Sequence, residues 1–298
     1  MRIALLLAPL ALLATQGAPE QERPAEVRSL SLAVTQGKGD TPLESLALDE
    51  IAVVENGVAR PVTRVERDTR PLDVAMLVDS SAAVGSSYRL NVVPAVVRFL
   101  NRLPKGSRCM VWTTGDRPTK VLDLTAELAE ADRALKRGVP QGGSTLLDAI
   151  YEAAEDLKKK EGGRRAMLVV AAVGVEFSGR DRFQIVEKTR GTLESFDAVL
   201  FEDSGLEASR AVSNEDRFNT EYVLGELAKA TGGLVDRPLS ALGIETALDK
   251  IAADLKGRFR VSYATIPEIK ERKIQVSVAR PGVKIRAGSP RLSSDNTQ

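Results

Sequence analysis

The sequence predicts an α/β protein built on a doubly wound, mostly parallel sheet, with a small β subdomain formed from its N- and C-terminal segments. Between residues 72 and 256, apolar strand-like runs alternate with segments of helical spacing, which is typical of a sheet covered by helices. The runs at 72–79 and 166–173 are apolar almost throughout, as expected of parallel strands buried on both faces. Residues 27–65 and 257–288 instead hold short strand-like alternations between turn residues.

The first 17 residues differ in character from the rest. A positive start at Met1 and Arg2 precedes a twelve-residue apolar run at 3–14 and small residues at 15–17. This pattern predicts a signal peptide at 1–17, a linker at 18–26, and export to the periplasm or the cell exterior. A buried N-terminal helix is the alternative, which a proline inside the run disfavours. No membrane span is expected, because spanning a bilayer takes about 20 apolar residues.

The N-terminal β segment is expected at 27–70. Residues 27–34 alternate with period two, and residues 50–65 hold two strands around Asn56-Gly57, a strong hairpin signal. Two or three strands without a covering layer are marginal in water. We therefore expect this segment to pair with the C-terminal β segment at 257–288, which is followed by a disordered tail at 289–298.

The α/β domain is expected at 71–256, and its elements follow one another in a regular order. They are a strand at 72–79, a helix at 88–103, strands at 108–114 and 119–125 joined by Gly115-Asp116, helices at 126–136 and 145–160, a strand at 166–173, a helix at 182–190, a strand at 196–202, and helices at 219–230 and 239–255.

Open parallel sheets bind ligands at the carboxyl ends of their strands, where the winding direction reverses. The loops after Val78 and Val173, and the loop that opens the helix at residue 145, should meet at this edge. The residues expected to form this ligand-binding edge are Asp79, Ser80, Ser81, Ser144, Thr145 and Glu176.

Composition excludes several chemistries. The chain of 298 residues has no histidine and one cysteine, Cys109, so a Ser-His-Asp triad, a His-rich zinc site and an intrachain disulfide are ruled out. Nucleotide-binding loops and serine-nucleophile motifs are absent from the sequence. With 42 Lys and Arg against 41 Asp and Glu, no overall charge favours nucleic acid as a partner.

Two motifs carry a resemblance to a known family. Residues 78–81 read VDSS and residues 142–153 read GGSTLLDAIYEA, and in this order they resemble the von Willebrand factor type A domain, which has a Rossmann-like fold. The layout over 27–288 resembles secreted bacterial proteins that carry this domain. The further matches are Glu55-Asn56-Gly57, Leu227-Ala228, Thr231-Gly232-Gly233, Phe259 and Tyr263.

The resemblance implies a metal-ion-dependent adhesion site. Asp79, Ser81 and Thr145 match three of its ligand positions, whereas Ala83 and Val173 stand where a serine and an aspartate are expected. Because Mg²⁺ prefers six oxygen ligands, this residual site should bind Mg²⁺ weakly at most, and we expect no cofactor.

The expected function is that of a non-enzymatic exported protein that binds a protein or peptide partner at this edge. Two alternatives stay open: Mg²⁺-dependent adhesion through the residual site, and a hydrolase or carbohydrate-active protein. We also expect Asp79→Ala to change the free energy of unfolding by no more than about 1 kcal/mol, because a strand-end carboxylate belongs to a site rather than the core.

Overall fold

The computed structural model describes residues 26–202, 212–267 and 271–292. The predicted signal peptide, nearly all of the predicted linker, and residues 293–298 of the predicted tail lie outside the described residues. Within them, no helix is both long and apolar enough to cross a membrane.

The described strands, in chain order, are β1 (Glu26–Gln36), β2 (Thr41–Pro42), β3 (Ile51–Glu55), β4 (Val58–Arg60), β5 (Val62–Arg67), β6 (Leu72–Val78), β7 (Arg108–Thr113), β8 (Thr119–Thr125), β9 (Arg164–Ala172), β10 (Ser195–Phe201), β11 (Val235–Asp236), β12 (Phe259–Thr265), β13 (Ile274–Val278), β14 (Val283–Ala287) and β15 (Arg291–Leu292). The described α-helices are α1 (Val93–Leu100), α2 (Ala129–Lys136), α3 (Leu146–Lys158), α4 (Arg182–Arg190), α5 (Asn214–Thr231) and α6 (Ile244–Gly257).

The central sheet has six strands in the order β11-β10-β9-β6-β7-β8. The pairs from β11 to β7 are parallel, and β8 runs antiparallel to β7. This confirms the predicted fold class. Because β7 lies on one side of β6 and β9 on the other, the winding direction reverses between β6 and β9. The loops after these two strands therefore share the switch point that favours ligand binding.

Helices cover both faces of the central sheet. Every residue of β6 is buried, and successive side chains point to opposite faces. Val74 and Met76 pack in the core that α1, α2 and α6 cover, whereas Ala75 and Leu77 pack in the core under α3, α4 and α5. Burial on both faces explains why the central strands lack a polar alternation in the sequence.

The two ends of the chain form a second β unit, as predicted. β1 pairs antiparallel with β12 and with β14, and β12 also pairs with β5. A three-stranded sheet, β13-β3-β4, lies against it, and side chains such as Leu32, Val53 and Tyr263 form the core between them. The expected hairpin is the turn between β3 and β4, where Asn56 and Gly57 both adopt positive φ angles.

The predicted helix at 88–103 is shorter and less regular than expected. A π-helical turn occupies Tyr88–Val92, and α1 begins only at Val93. Pro94 lies in the first turn of α1 and has no N–H to donate to the preceding turn, so the regular α-helical pattern starts beside it. Helical spacing in a sequence does not distinguish these two kinds of turn.

The predicted disordered tail starts too early. Arg291–Leu292 forms β15 on β1, and Ser289 donates backbone and side-chain hydrogen bonds to the Ala230 carbonyl. The Arg291 guanidinium also donates to the carbonyls of Gly191 and Leu193. These contacts with residues distant in sequence order a segment whose local composition favours disorder.

Buried ion pairs tie the two units together. Arg258 precedes β12, is 1% exposed, and donates to Asp254 of α6 at 2.9 and 3.1 Å. Its guanidinium also lies 3.6 Å from Asp197 of β10 and donates to the Thr231 and Gly232 carbonyls at the end of α5. The C-terminal β segment thus supplies the cation that compensates two buried carboxylates of the α/β unit.

A second buried pair lies between β5 and β6. Asp68 accepts two hydrogen bonds from the Arg70 side chain and pairs with Arg164 of β9 at 2.9 Å. Burial alone would raise the pKa of Asp68, but Arg70 and Arg164 together lower it to about 2. The connection between the two units is therefore fixed by charge as well as by packing.

Candidate ligand-binding edge

Asp79 lies at the switch point, directly after β6. Its Oδ1 accepts hydrogen bonds from the Ser81 amide at 2.8 Å and from Thr114 Oγ1 at 3.1 Å, and its Oδ2 accepts one from the Ala172 amide at 3.1 Å. The side chain is nearly inaccessible, since Asp79 is 1% exposed. One carboxylate therefore joins the loops that follow β6 and β7 to the end of β9.

Burial raises the pKa of Asp79, and the hydrogen bonds that it accepts oppose this change. Both carboxylate oxygens are engaged by donors of the protein itself. The structure therefore argues against the expectation that Asp79→Ala is nearly neutral, because the substitution would leave three buried donors without an acceptor.

The two serines after Asp79 are held differently. Ser80 Oγ accepts a hydrogen bond from the Gly115 amide at 3.0 Å, which fixes the neighbouring loop. Ser81 Oγ is buried and makes no well-aligned hydrogen bond, although it lies close enough to the Asp79 carboxylate to lower its pKa. Ser81 is thus the predicted edge residue whose hydroxyl has unused capacity.

Thr145 and Ser144 open α3 on the opposite side of the edge. Thr145 Oγ1 donates to the Thr114 carbonyl at 2.9 Å, so its hydroxyl hydrogen is committed within the protein. Ser144 Oγ donates to Glu176 Oε2 at 3.1 Å and accepts from the Leu146 amide at 3.3 Å. The six predicted residues do meet at one edge, but most of their side-chain polar atoms already form hydrogen bonds within the protein.

Glu176 lies in the loop after β9 and is mostly buried. Besides Ser144, its carboxylate accepts hydrogen bonds from the amide and the hydroxyl of Ser178. Burial outweighs these hydrogen bonds and raises the pKa of Glu176 from 4.5 to about 7. Its carboxyl group therefore changes charge near neutral pH.

The residues present do not fit an octahedral Mg²⁺ ion. The Asp79 oxygens already accept three hydrogen bonds, and Val173 packs in the core where a second carboxylate would be needed. Ala83 is buried, and a Cβ placed on Gly174 would lie 2.8 Å from the Ala83 methyl, so apolar groups occupy this side. Within the described ranges, no group of three His, Cys, Asp or Glu side chains could hold a metal ion.

An open groove of about 250 Å³ lies beside these residues. Its lining is mostly apolar and comprises Ser81, Ala83, Gly142, Gly143, Ser144, Val175 and Phe177. Phe177 is 66% exposed, and its amide donates to the Ser144 carbonyl at 2.7 Å. A Cβ on Gly143 would lie 2.0 Å from the Phe177 ring, so only glycine lets the ring lie this close.

Sequence reasoning missed two residues of this edge. Thr114 follows β7 at its carboxyl end and donates to Asp79, and the rule that located Asp79 could also have located it. Phe177 gives no comparable signal, because an exposed aromatic ring in a loop cannot be told from a buried one by its position in the sequence.

Comparisons with known proteins agree with this fold. Residues 74–174 match the family model of the von Willebrand factor type A domain. No curated protein sequence matches the chain closely enough to count as a relative.

Solved structures resemble the chain at low sequence identity. A von Willebrand factor type A protein from Catenulispora acidiphila is 9% identical over 89% of this chain and 74% of that chain, with a TM-score of 0.51. BatB, a conserved hypothetical protein from Bacteroides thetaiotaomicron, is 14% identical over 62% of this chain and 99% of that chain, with a TM-score of 0.47. At these identities the likeness concerns the fold alone. Residues 74–174 match the family model, and the central α/β unit that contains them has the fold of a von Willebrand factor type A domain.

Proposed function

We propose that this protein is an exported, non-enzymatic binding protein that holds a protein or peptide partner in the groove beside Asp79, without a metal ion. Von Willebrand factor type A domains commonly mediate protein–protein interactions. The observation that carries the proposal is the open groove at the switch point, with Phe177 exposed at its rim.

The lining of the groove suits an apolar side chain from a partner. Ala83, Val175 and the Phe177 ring supply apolar surface, and the Ser81 hydroxyl is one nearby polar group without a well-aligned partner. Binding energy at protein interfaces concentrates on aromatic anchors in well-packed pockets. Phe177 is therefore expected to contribute more to binding than the polar residues around it.

Absence of catalysis is part of the same proposal. Ser81 is the hydroxyl best placed to react, and a serine nucleophile needs a neighbouring base to activate it. The carboxylate beside it, Asp79, already accepts three hydrogen bonds from other groups, and Ser81 Oγ makes no well-aligned hydrogen bond to it, so the paired serine and base that activation requires are not formed.

Site-specific crosslinking tests the proposal. A photoreactive phenylalanine analogue at position 177, in the full chain expressed in its native cells, should form one discrete crosslinked product that survives addition of a chelator. The matched control places the same analogue at Leu242, which is 81% exposed and lies in the short turn just before α6. Identical products from both positions, or none from position 177, would contradict the proposal.

Mg²⁺-dependent binding is the second candidate function, because the Ser81 hydroxyl has unused capacity to ligate an ion. Calorimetric titration of the purified protein with Mg²⁺, Mn²⁺ and Ca²⁺, repeated on Ser81→Ala, separates the two. We expect no saturable heat at millimolar concentrations. A saturable heat that Ser81→Ala abolishes would replace the metal-free proposal with the metal-dependent one.

Export has its own test. Intact-mass measurement on protein recovered from the native source should show a chain that lacks about the first 17 residues. Recovery of the full 298-residue chain from the cytoplasm would contradict export while leaving the binding proposal in place.

A further inference from the structure

A cluster of aromatic rings surrounds one arginine at the N-terminal turns of α4 and α5. The guanidinium carbon of Arg182 lies 4.6 Å from the ring centroid of Phe183, 5.1 Å from that of Phe218 and 5.8 Å from that of Tyr222. Phe183 and Phe218 are 54% and 57% exposed. We call these four residues the Arg182 cluster. Both helices begin after strands of the central sheet, so the cluster lies on the same side of the sheet as the groove.

The Arg182 guanidinium has hydrogen-bonding capacity that the protein does not use. Its Nη1 donates to Asn219 Oδ1 at 2.6 Å, but its Nε is buried without a partner. Among the described residues, no acceptor receives a hydrogen bond from Nη2 and no carboxylate forms an ion pair with Arg182. A buried N–H without an acceptor costs about 1–3 kcal/mol, and such groups are rare in native proteins.

Other arginines of this protein bind carboxylates through the edge of the guanidinium that Nε and Nη2 form. Arg70 uses it on Asp68 at 2.9 and 2.8 Å, and Arg108 uses it on Asp73 at 2.8 Å for both bonds. Such two-point pairing is strong and geometrically selective. Arg182 presents the same fork, and no carboxylate of the described residues lies in it.

Several charged groups near the cluster already have partners within the protein. Arg217 pairs with Glu202, and Glu221 pairs with Arg237. The Asp181 carboxylate is occupied at the start of α4, where it accepts hydrogen bonds from the Phe183 and Gln184 amides. This leaves the Arg182 fork as a cationic centre that is complementary to an acidic group from outside.

Within the part of the chain that the structure describes, the strongly exposed aromatic rings lie on this side of the protein. Of the large apolar side chains that are exposed, the aromatic ones are Phe177, Phe183 and Phe218, and they lie at the groove and the Arg182 cluster. Aromatic rings and arginine are the groups most enriched in binding hot spots.

We propose that the partner bound at the groove extends to the Arg182 cluster and presents an aspartate or glutamate beside an apolar side chain. The carboxylate pairs with Nε and Nη2 of Arg182, and the apolar side chain packs on Phe183 and Phe218. The carboxylate reaches Nε when one of these half-exposed rings turns aside. The inference rests on the proposed function, since it describes the chemistry of the same partner.

Selection from a phage-displayed library of random twelve-residue peptides tests this proposal. The bait is the full-length mature protein, and the selection is repeated on Arg182→Gln. The matched control is Arg190→Gln, which removes an exposed charge from the last turn of α4. Thermal unfolding of each variant checks that it is folded, and Arg182→Lys, which keeps the charge but lacks the fork, provides a second probe.

We expect the wild-type protein to enrich peptides with an acidic residue next to an aromatic or aliphatic one. A synthetic copy of such a peptide should lose at least about tenfold in affinity when its acid is changed to the amide, and the same when Arg182 is changed to Gln. The two changes together should cost little more than either alone, and Arg190→Gln should cost nothing.

Enriched peptides without an acidic residue, or peptides that bind Arg182→Gln as tightly as the wild type, would overturn this inference and leave the proposed function standing. Failure of the wild-type protein to enrich any peptide would overturn the inference together with the peptide-binding proposal.

Discussion

At the scale of single residues, the ligand-binding edge has polar side chains that the sequence predicts to bind a ligand but that form hydrogen bonds within the protein. Asp79, Ser80, Ser144 and Thr145 all lie at the switch point, yet each spends its hydrogen bonds on neighbouring loops. Ser81 is the exception, because its hydroxyl makes no well-aligned hydrogen bond. A substitution at this edge is therefore expected to change the stability of the fold as well as any binding.

Asp79→Ala is the first such substitution. It removes the acceptor of three buried donors, so we expect it to lower the free energy of unfolding by about 2–4 kcal/mol in urea denaturation at pH 7. The control is Glu161→Ala, an exposed carboxylate whose loss should change stability by less than about 0.5 kcal/mol. A change below about 1 kcal/mol at Asp79 would show that its hydrogen bonds are replaceable.

Glu176 predicts a dependence of stability on pH. Its pKa in the folded protein, about 7, lies above the ordinary value of 4.5, so the folded state holds the proton more tightly than the unfolded state does. The associated stabilisation is complete below about pH 4.5 and is lost as the pH rises through 7. Relative to Glu176→Gln, the wild-type protein should lose about 2–3 kcal/mol between pH 5 and pH 8.

The comparison with Glu176→Gln matters because Asp79 and Asp197 also have pKa values raised by burial. Both are present in the wild type and in the variant, so their contributions cancel in the difference. Parallel stability profiles for the two proteins would show that Glu176 is ionised in the folded state well below neutral pH.

Most of this edge could be predicted from the sequence, because ligands bind at the carboxyl ends of parallel strands and only the positions of the strands are needed to find those ends. The sequence could not show that Thr114 donates to Asp79, or that no carboxylate among the described residues pairs with Arg182. Both facts depend on distances between loops that are far apart along the chain. Hydrogen-bond satisfaction is a property of the assembled loops, and residue types alone do not determine it.

At the scale of elements, helix ends decide how the central unit meets the terminal strands. Helix α5 ends at Gly232, which adopts a left-handed φ of 67°. The next residue, Gly233, is packed so closely that a Cβ there would lie 1.8 Å from the Phe196 carbonyl oxygen of β10. The sequence indicated this helix end, but not that the second glycine is needed for contact with a strand.

Two alanine substitutions in the same region should therefore act in opposite directions. Gly233→Ala forces β10 and the end of α5 apart and should lower the free energy of unfolding by at least about 2 kcal/mol. Gly225→Ala lies within α5, where a Cβ meets nothing within 4 Å, and should raise it by about 0.5–1 kcal/mol. Chemical denaturation of both variants checks this, and equal effects would contradict the packing argument.

Periodicity predicted the elements well where one face or both faces are buried, as in β6 and α3. It failed at Tyr88–Val92, where a π-helical turn replaces regular helix, and at β15, which is ordered by contacts from β1. In both places the deciding interaction comes from outside the local spacing of apolar residues.

At the scale of the whole molecule, the terminal β unit is bound to the α/β unit by buried charge. Arg258 compensates Asp197 and Asp254, and Arg286 of β14 also pairs with Asp254. Neither the pairing of these charges nor the strand order of the terminal sheets is visible in the sequence, because strands from both ends could pair in several registers.

Arg258→Met tests this linkage. It leaves two buried carboxylates without their main cation and should cost about 3–5 kcal/mol of stability. The control, Arg102→Met, removes the partner of the exposed Asp249 and should cost less than about 1 kcal/mol. We expect the wild type to unfold in one calorimetric transition, and two separate transitions would show that the units are energetically independent.

The central place of β1 in the terminal sheet has a consequence for biosynthesis. During synthesis β1 leaves the ribosome well before its partner β12, which follows about 220 residues later. At about 5–20 residues per second, roughly 10 to 45 s pass before that neighbour exists. Throughout this interval the backbone N–H and C=O groups of β1 that pair with β12 have no partner strand, which favours aggregation. We therefore expect a chaperone to bind the nascent segment until β12 has been synthesised.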